Sequence, residues 1–158
     1  MLELDVKIET AELFDYRIAH TYNSSVGILG SSLGGLLVVV GLFNGRWIFL
    51  TVGVIVLLAL PVTLYGKSRK QVRTSPDFQT PMHYILDDKG ITVLQGTKKQ
   101  HQAWENMYKA MSTSKSIIVY SSPVNATIIP RHALGENVSQ CIEIISTHMP
   151  PSKVKIRY

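Results

Sequence analysis

Cysteine occurs once in the 158 residues, at Cys141, so the chain forms no internal disulfide and no multi-cysteine metal site. A reducing compartment suits it. The five histidines, His20, His83, His101, His132 and His148, stand apart, with no i, i+3 or i, i+4 pair and no His-Glu-x-x-His, which argues against a histidine metal centre. Serine nucleophile elbows, Walker loops and glycine-rich dinucleotide turns are absent. Asp87 and Asp88 are adjacent turn residues that point apart, a poor acid–base pair. No catalytic residue, cofactor or metal ligand is expected, and the chain does not read as an enzyme. Its basic residues are not interleaved with aromatics on one face, so nucleic acid is not an expected partner. The N-terminus lacks a basic n-region, and the stretch from Met1 to Ser25 is too polar for a secretory h-region, so Met1 is expected to start the mature chain.

The absence with the largest consequence is that of charge. The stretches Val26 to Phe43 and Trp47 to Tyr65 contain no charged side chain, and only Asn44, Gly45 and Arg46 separate them. At about 1.5 Å per residue each stretch is about 27 Å long as a helix, close to the roughly 30 Å hydrocarbon core of a bilayer. A chain of this length has no segment large enough to wrap two such helices on all sides, so residues 26–65 read as a transmembrane hairpin with the lipid bilayer as its partner. Trp47 and Tyr65 mark its interfaces. Without an ionisable residue inside either span, a proton relay, an ion path or a voltage sensor is not expected.

Charge returns asymmetrically on the flanks. Residues 1–25 carry Glu3, Asp5, Glu9, Glu12 and Asp15 against Lys7 and Arg17, whereas the chain after Tyr65 is basic, beginning with Lys67, Arg69, Lys70 and Arg73. Basic residues close to a span stay on the cytoplasmic side. Four cations there against the single Arg46 in the turn imply a multi-pass protein of the cell membrane with the turn outside and both termini cytoplasmic. Setting topology accounts for the four juxtamembrane charges. Contact with anionic headgroups, at roughly 1 kcal/mol per residue, is the alternative.

The first span has an unusually small side. Gly27, Gly30, Ser31, Gly34 and Gly35 include Gly30-x-x-x-Gly34 and the stack Gly27, Ser31, Gly35, a spacing that lets helix backbones approach closely. Since so short a turn forces the two spans together, this face is expected to receive the second span. Homo-oligomerisation through it is the alternative. Pro61 is expected to kink the last turn of the second span.

Outside the hairpin, Leu2, Leu4, Val6 and Ile8 alternate with Glu3, Asp5 and Lys7, as in a half-buried strand. Thr10 then reads as the N-cap of a helix running toward Asn23. A strand needs a sheet, and two spanning helices cannot supply one, so this strand should pair with the domain beyond the hairpin. Residues 66–81, with Pro76 and Pro81, read as a basic juxtamembrane linker. From Met82 the chain becomes a meander: Met82–Leu86, a turn ending at Gly90 where a positive φ is expected, Ile91–Gln95, Lys99–Trp104, Met107–Met111, Ser116–Tyr120 and Thr127–Ile129. Glu136–His148 carries Val138, Cys141, Ile142 and Ile145 on one helical face, and Val154, Ile156 and Tyr158 alternate in a last strand.

A curved meander capped by one amphipathic helix has a pleckstrin-homology-like layout. The N-terminal strand and helix, the tight hairpin, Tyr84-Ile85-Leu86-Asp87-Asp88-Lys89-Gly90-Ile91, Trp104 with Tyr108-Lys109, and Ile128-Ile129-Pro130-Arg131-His132-Ala133-Leu134 together resemble the YcxB-like bacterial membrane proteins. The resemblance spans nearly the whole chain and implies a two-span protein with a cytoplasmic PH-like domain, and no reaction. The fold class expected is an α+β membrane protein. Its parts are residues 1–25, strand and helix packing on the C-terminal domain; 26–65, the hairpin; 66–81, the linker; and 82–158, a PH-like antiparallel meander or barrel with one C-terminal capping helix. Trp104 is its expected core anchor, with one partner needed for the indole N–H. The function expected is a membrane-tethered binding or scaffold module for an unidentified cytoplasmic protein partner, with anionic-lipid sensing as the alternative.

Overall fold

A computed structural model describes residues 1–156; Arg157 and Tyr158, which belong to the expected last strand, lie outside the described residues. The chain divides into two compact units, one made of Met1–Tyr16 with the chain from Gln71 onward, the other of Arg17–Lys70.

The first unit is built on two four-stranded sheets. β1 (Leu2–Val6) buries Leu2, Leu4 and Val6 and exposes Glu3 and Asp5. It pairs antiparallel with β2 (Met82–Leu86), Leu2 opposite Leu86 and Val6 opposite Met82, across the whole apolar hairpin. β3 (Gly90–Gln95) and β4 (Lys98–Ala103) complete the sheet in the order β1-β2-β3-β4. Gly90 does not take the positive φ expected of it. Its place is fixed by crowding: a Cβ there would run into the backbone of Gln102 and Ala103 on β4. Close approach of a neighbouring strand is the other reason a strand carries glycine.

β5 (Lys109–Ser112), β6 (Ser116–Tyr120) and β7 (Ala126–Pro130) form an antiparallel meander, and β8 (Val154–Lys155) joins it parallel to β5, giving the order β7-β6-β5-β8. The expected antiparallel meander or barrel is thus present as two separate sheets that do not close into a barrel, the second of them mixed through the parallel β5–β8 pair. No strand pairing joins them among the described residues. The break lies at Trp104–Asn106, where a 3-10 turn stands between β4 and β5 and takes Trp104 out of the strand assigned to it from sequence. β6 is buried along its whole length, as its unbroken Ile117-Ile118-Val119-Tyr120 run requires. Pro130 ends edge strand β7, where its missing N–H costs no ladder bond.

The expected helix Glu136–His148 is present but begins two residues late. The segment Arg131–Leu134 is one short helical turn; Gly135 then adopts φ 53° and opens a 3-10 turn, and the longer helix begins only at Val138. That helix, Val138–His148, presents buried Cys141, Ile142 and Ile145 to the core with Ile91, Met107, Ile117 and Ile129.

Preceding the hairpin, α1 (Thr10–Tyr22) starts one position earlier than its sequence suggests. Glu9, rather than Thr10, is the cap residue: its carbonyl accepts from Leu13 N–H at 3.2 Å, and Glu12 Oε2 accepts from Glu9 N–H at 3.1 Å. That returning bond is half of a capping box.

The second unit contains α2 (Ser25–Phe43) and most of α3 (Trp47–Thr74). Ser24 caps α2 by accepting from Gly27 N–H at 3.3 Å. At the far end Arg46 N–H donates to the Gly41 carbonyl at 3.0 Å while Gly45 takes φ 62°, a Schellman ending that glycine adopts without strain and that reverses the chain sharply. Both helices are long and apolar enough to cross a membrane. Only 17% of the apolar window of α2 and 6% of that of α3 is buried, whereas the core helix of a soluble protein is mostly covered. α3 does not stop at Tyr65: it runs past Gly66 and through much of the expected linker to Thr74, because Lys, Arg and Gln sustain a helix and the next proline is Pro76. Pro61 consequently lies inside α3 instead of in its last turn. The chain then makes a 3-10 turn at Pro76–Phe78 before β2.

Candidate functional site

Extension of α3 turns the four basic residues from a flexible stretch into a helical array. At 3.6 residues per turn Lys67, Arg69, Lys70 and Arg73 fall within about 160° of arc. All four are on the more exposed side, while Ser68 and Val72 on the opposite side are buried and half-buried, and Val72 packs on the core. No acidic residue occurs anywhere in α3 to neutralise the array from within. The cations crowd one another at i, i+3 and i, i+4, but they occupy the C-terminal turns, where the helix dipole favours positive charge. The end is closed by Gln79, whose Nε2 donates to the carbonyls of Val72 at 2.6 Å and Arg73 at 3.2 Å.

Within the hairpin, Gly34 is the centre of the small face. A Cβ on it would sit 2.8 Å from the Leu57 side chain and 3.3 Å from the Gly53 carbonyl oxygen, and Gly30 faces Leu60 at 3.6 Å. Two further glycines, not singled out by their sequence, are tighter: Gly41 would strike Leu50 N at 2.5 Å, and Gly53 would strike Val38 N at 2.7 Å and the Gly34 carbonyl oxygen at 2.8 Å. The close-contact line is thus Gly34 and Gly41 on α2 against Gly53 and Leu50 on α3. Gly27, Gly34 and Gly41 are the buried residues of α2, and the seven-residue interval from Gly34 to Gly41 is the signal for the seam. Gly27 itself is crowded by the Thr21 and Tyr22 backbone, at the turn from α1, instead of by α3. Gly35 meets nothing within 4 Å, so it is not part of the seam, and Ser31 is half-buried. Trp47 and Tyr65 are 79% and 48% exposed, as residues at a water–lipid boundary would be.

Trp104 is 4% exposed, and its Nε1 donates to the Asp87 carbonyl at 2.8 Å. The ring stacks on His148 with centroids 5.8 Å apart and planes 19° from parallel. His148 Nδ1 in turn donates to the Ile144 carbonyl at 2.9 Å. Asp87 Oδ1 accepts from the N–H groups of Lys89 and Gly90 at 2.8 and 2.9 Å, and those bonds, Lys89 first, hold its carboxyl below the usual range. Trp104 thereby ties the β2–β3 turn to the end of the C-terminal helix, a core role that leaves its ring little room for a ligand.

The other chemistry-bearing side chains are engaged locally. His83 Nδ1 lies 2.8 Å from Asp5 Oδ1 and its Nε2 3.7 Å from Glu3 Oε2; the two nitrogens point to different carboxylates. His132 Nδ1 lies 3.5 Å from Glu12 Oε1, and His101 Nδ1 2.9 Å from Thr92 Oγ1. Among the described residues no three His, Cys, Asp or Glu side chains form a group able to hold a metal. Cys141 is fully buried and burial pushes its thiol up to about 12, the opposite of a nucleophile's shift. No protein-family model matches the chain, and no curated protein or solved structure matches it.

Proposed function

We propose that this protein is a membrane-tethered binding module of the YcxB-like kind, whose PH-like unit is held at the cytoplasmic face of the cell membrane by the α2–α3 hairpin and presents a groove or strand edge to a protein partner. One observation carries the reading. The sheet is assembled from both sides of the hairpin, β1 before it and β2 after it, so the folded unit is joined to the two apolar helices at both ends of the insertion. A double attachment suits a domain whose task is to stay at a surface. β4, at the edge of its sheet, offers an exposed backbone edge of the sort that strand addition uses. In-cell proximity labelling from the C-terminus of the full-length protein tests this. A reproducible set of cytoplasmic proteins is expected, retained when Lys67, Arg69, Lys70 and Arg73 are reduced to two lysines that keep the topology. Labelling no different from that of an unrelated two-span protein overturns the reading.

A second reading, anionic-headgroup sensing, is favoured by the one-sided array on α3. In nanodiscs with increasing anionic lipid, the array would then show salt-sensitive protection of Lys67 and Lys70 from acylation. Protection independent of lipid charge leaves the array with topology setting alone.

A further inference from the structure

The inner face of the first sheet changes character at one end. Leu2, Leu4, Val6, Met82, Tyr84, Leu86 and Ile91 are buried, yet beyond Val93 the same face carries Gln95, Lys98 and Gln100, with Gln95 opposite Lys98 and Val93 opposite Gln100. Those positions frame a hollow of about 220 Å³, closed on its other side by Asp77 from the 3-10 turn Pro76–Phe78. Met82 and Val93 make its apolar floor, and the two glutamines make polar walls. It is smaller than the pockets that take drug-sized molecules.

This hollow is held open by bonds of its own. Gln95 Nε2 donates to the Asp77 carbonyl at 2.7 Å and to Thr80 Oγ1 at 3.0 Å, fixing the turn against the end of β3. At the rim, Lys98 Nζ stands 3.9 Å from Asp77 Oδ1, at the outer limit of an ion pair, with both side chains largely exposed. Such a pair contributes little and opens readily. What it leaves is one cation and one anion a few ångströms apart over an apolar floor, with the Gln100 amide beside them.

We propose that this hollow binds a small zwitterion, an ammonium and an anionic group joined by a short link, with the ammonium on Asp77, the anion on Lys98 and the link over Met82 and Val93. The shared chemistry occurs in free aminoalkyl phosphates and in the headgroup of an aminoethyl phospholipid. The ligand inserts between the two rim charges, so each keeps an opposite partner. This site is independent of the protein-partner reading above.

The test uses full-length protein in nanodiscs of an uncharged diglycosyl diacylglycerol, whose headgroup carries neither charge, titrated calorimetrically with O-phosphoethanolamine, with ethanolamine and phosphate as half-ligands. Parallel nanodiscs containing phosphatidylethanolamine ask whether lipid already occupies the site and suppresses the titration. The zwitterion is expected to bind about tenfold more tightly than either half-ligand, since each lacks one of two charge contacts. Asp77→Lys and Lys98→Glu should each lower affinity about tenfold, whereas the double exchange, which keeps one charge of each sign, should recover most of it. Val93→Trp, filling the floor, should abolish binding while Cys141 stays protected from alkylation, which shows the unit still folded. Phosphate binding as tightly as the zwitterion, an additive loss in the double exchange, or wild-type binding by Val93→Trp overturns the proposal. So does the absence of binding in both nanodiscs.

Discussion

Val6→Asp tests the joining of the chain across the hairpin. Val6 is fully buried and faces Met82 in the register of β1 and β2. Exposing a valine's worth of apolar surface costs about 1.5–3 kcal/mol. A carboxylate in its place adds several kcal/mol, moderated only by taking up a proton. A total of about 4 kcal/mol or more is a large share of the roughly 5–15 kcal/mol that holds a typical domain. The chain supplies its own reporter. Cys141 is the lone cysteine, fully buried in the first unit, with a thiol pushed up to about 12 by burial, so alkylation at neutral pH requires the unit to open. With opening in rapid equilibrium, about 4 kcal/mol raises the labelling rate roughly a thousandfold. Lys7→Asp, at an exposed position next to it, should change the rate about twofold at most. Val6→Ala, which removes two carbon groups, falls between, at about tenfold or somewhat more. Equal labelling of the Val6→Asp and Lys7→Asp proteins in detergent would show that β1 is not part of the unit's cooperative core.

Three further outcomes are expected. In a Cys141→Ser background, a cysteine at Asn44 should react with a membrane-impermeant reagent in intact cells and one at Ser75 should not; the reverse pattern would invert the topology. Gly53→Ala places a methyl against the backbone of Val38 and Gly34 and should weaken helix packing by about 1–3 kcal/mol, read as a lower SDS midpoint by Trp47 fluorescence in a Trp104→Phe background, while Gly35→Ala, with open space around it, should not. Asp87 has a depressed carboxyl, so its stabilising charge is present above the usual carboxylate value of 3.8 and is lost as pH falls through the lower folded value; the Tm gap between wild type and Asp87→Asn should close there, and a gap constant into strong acid would refute it.

Sequence is most readable where one physical requirement acts alone. Two charge-free runs show as long apolar helices because nothing but length and polarity decides them, and Leu2, Leu4 and Val6 show as a strand because period-2 burial has no helical counterpart. Expectation and structure part where two requirements compete. At Lys67–Arg73 the loss of hydrophobicity resembles a linker, yet the same residues are good helix formers, and the helix persists until the approach of Pro76. Gly90 resembles a turn glycine, but the Gln102 backbone fixes it. Val154 and Lys155 of β8 fall in the strand that alternation suggests, but their parallel pairing with β5 is set by topology, which alternation does not carry. The Gly34, Gly41 and Gly53 seam is only half legible, because which glycines meet depends on the mutual register of two helices. The hollow is not legible at all, since Asp77, Met82, Gln95 and Lys98 come from separate elements.

β1 can close onto β2 only by closing the chain around the whole hairpin, so the order of the hairpin bears on the cost of that closure. Val6 and Met82 are register partners, and α1, α2 and α3 all lie between them in the chain. Were that whole stretch flexible, the length-dependent cost of closing it would be about 3.8 kcal/mol; with the hairpin packed and α1 formed, only about 15 flexible residues remain and the cost falls to about 2.4 kcal/mol. Hairpin packing therefore lends β1 up to about 1.4 kcal/mol, or a factor of about ten in opening. Gly53→Ala, though it touches nothing in the sheet, should raise Cys141 labelling by up to that factor in detergent. It should do so less in a bilayer, where lipid keeps both helices side by side when their seam is loosened. If the SDS midpoint falls and Cys141 labelling stays at the wild-type rate in both media, the sheet closes across the insertion without help from the hairpin.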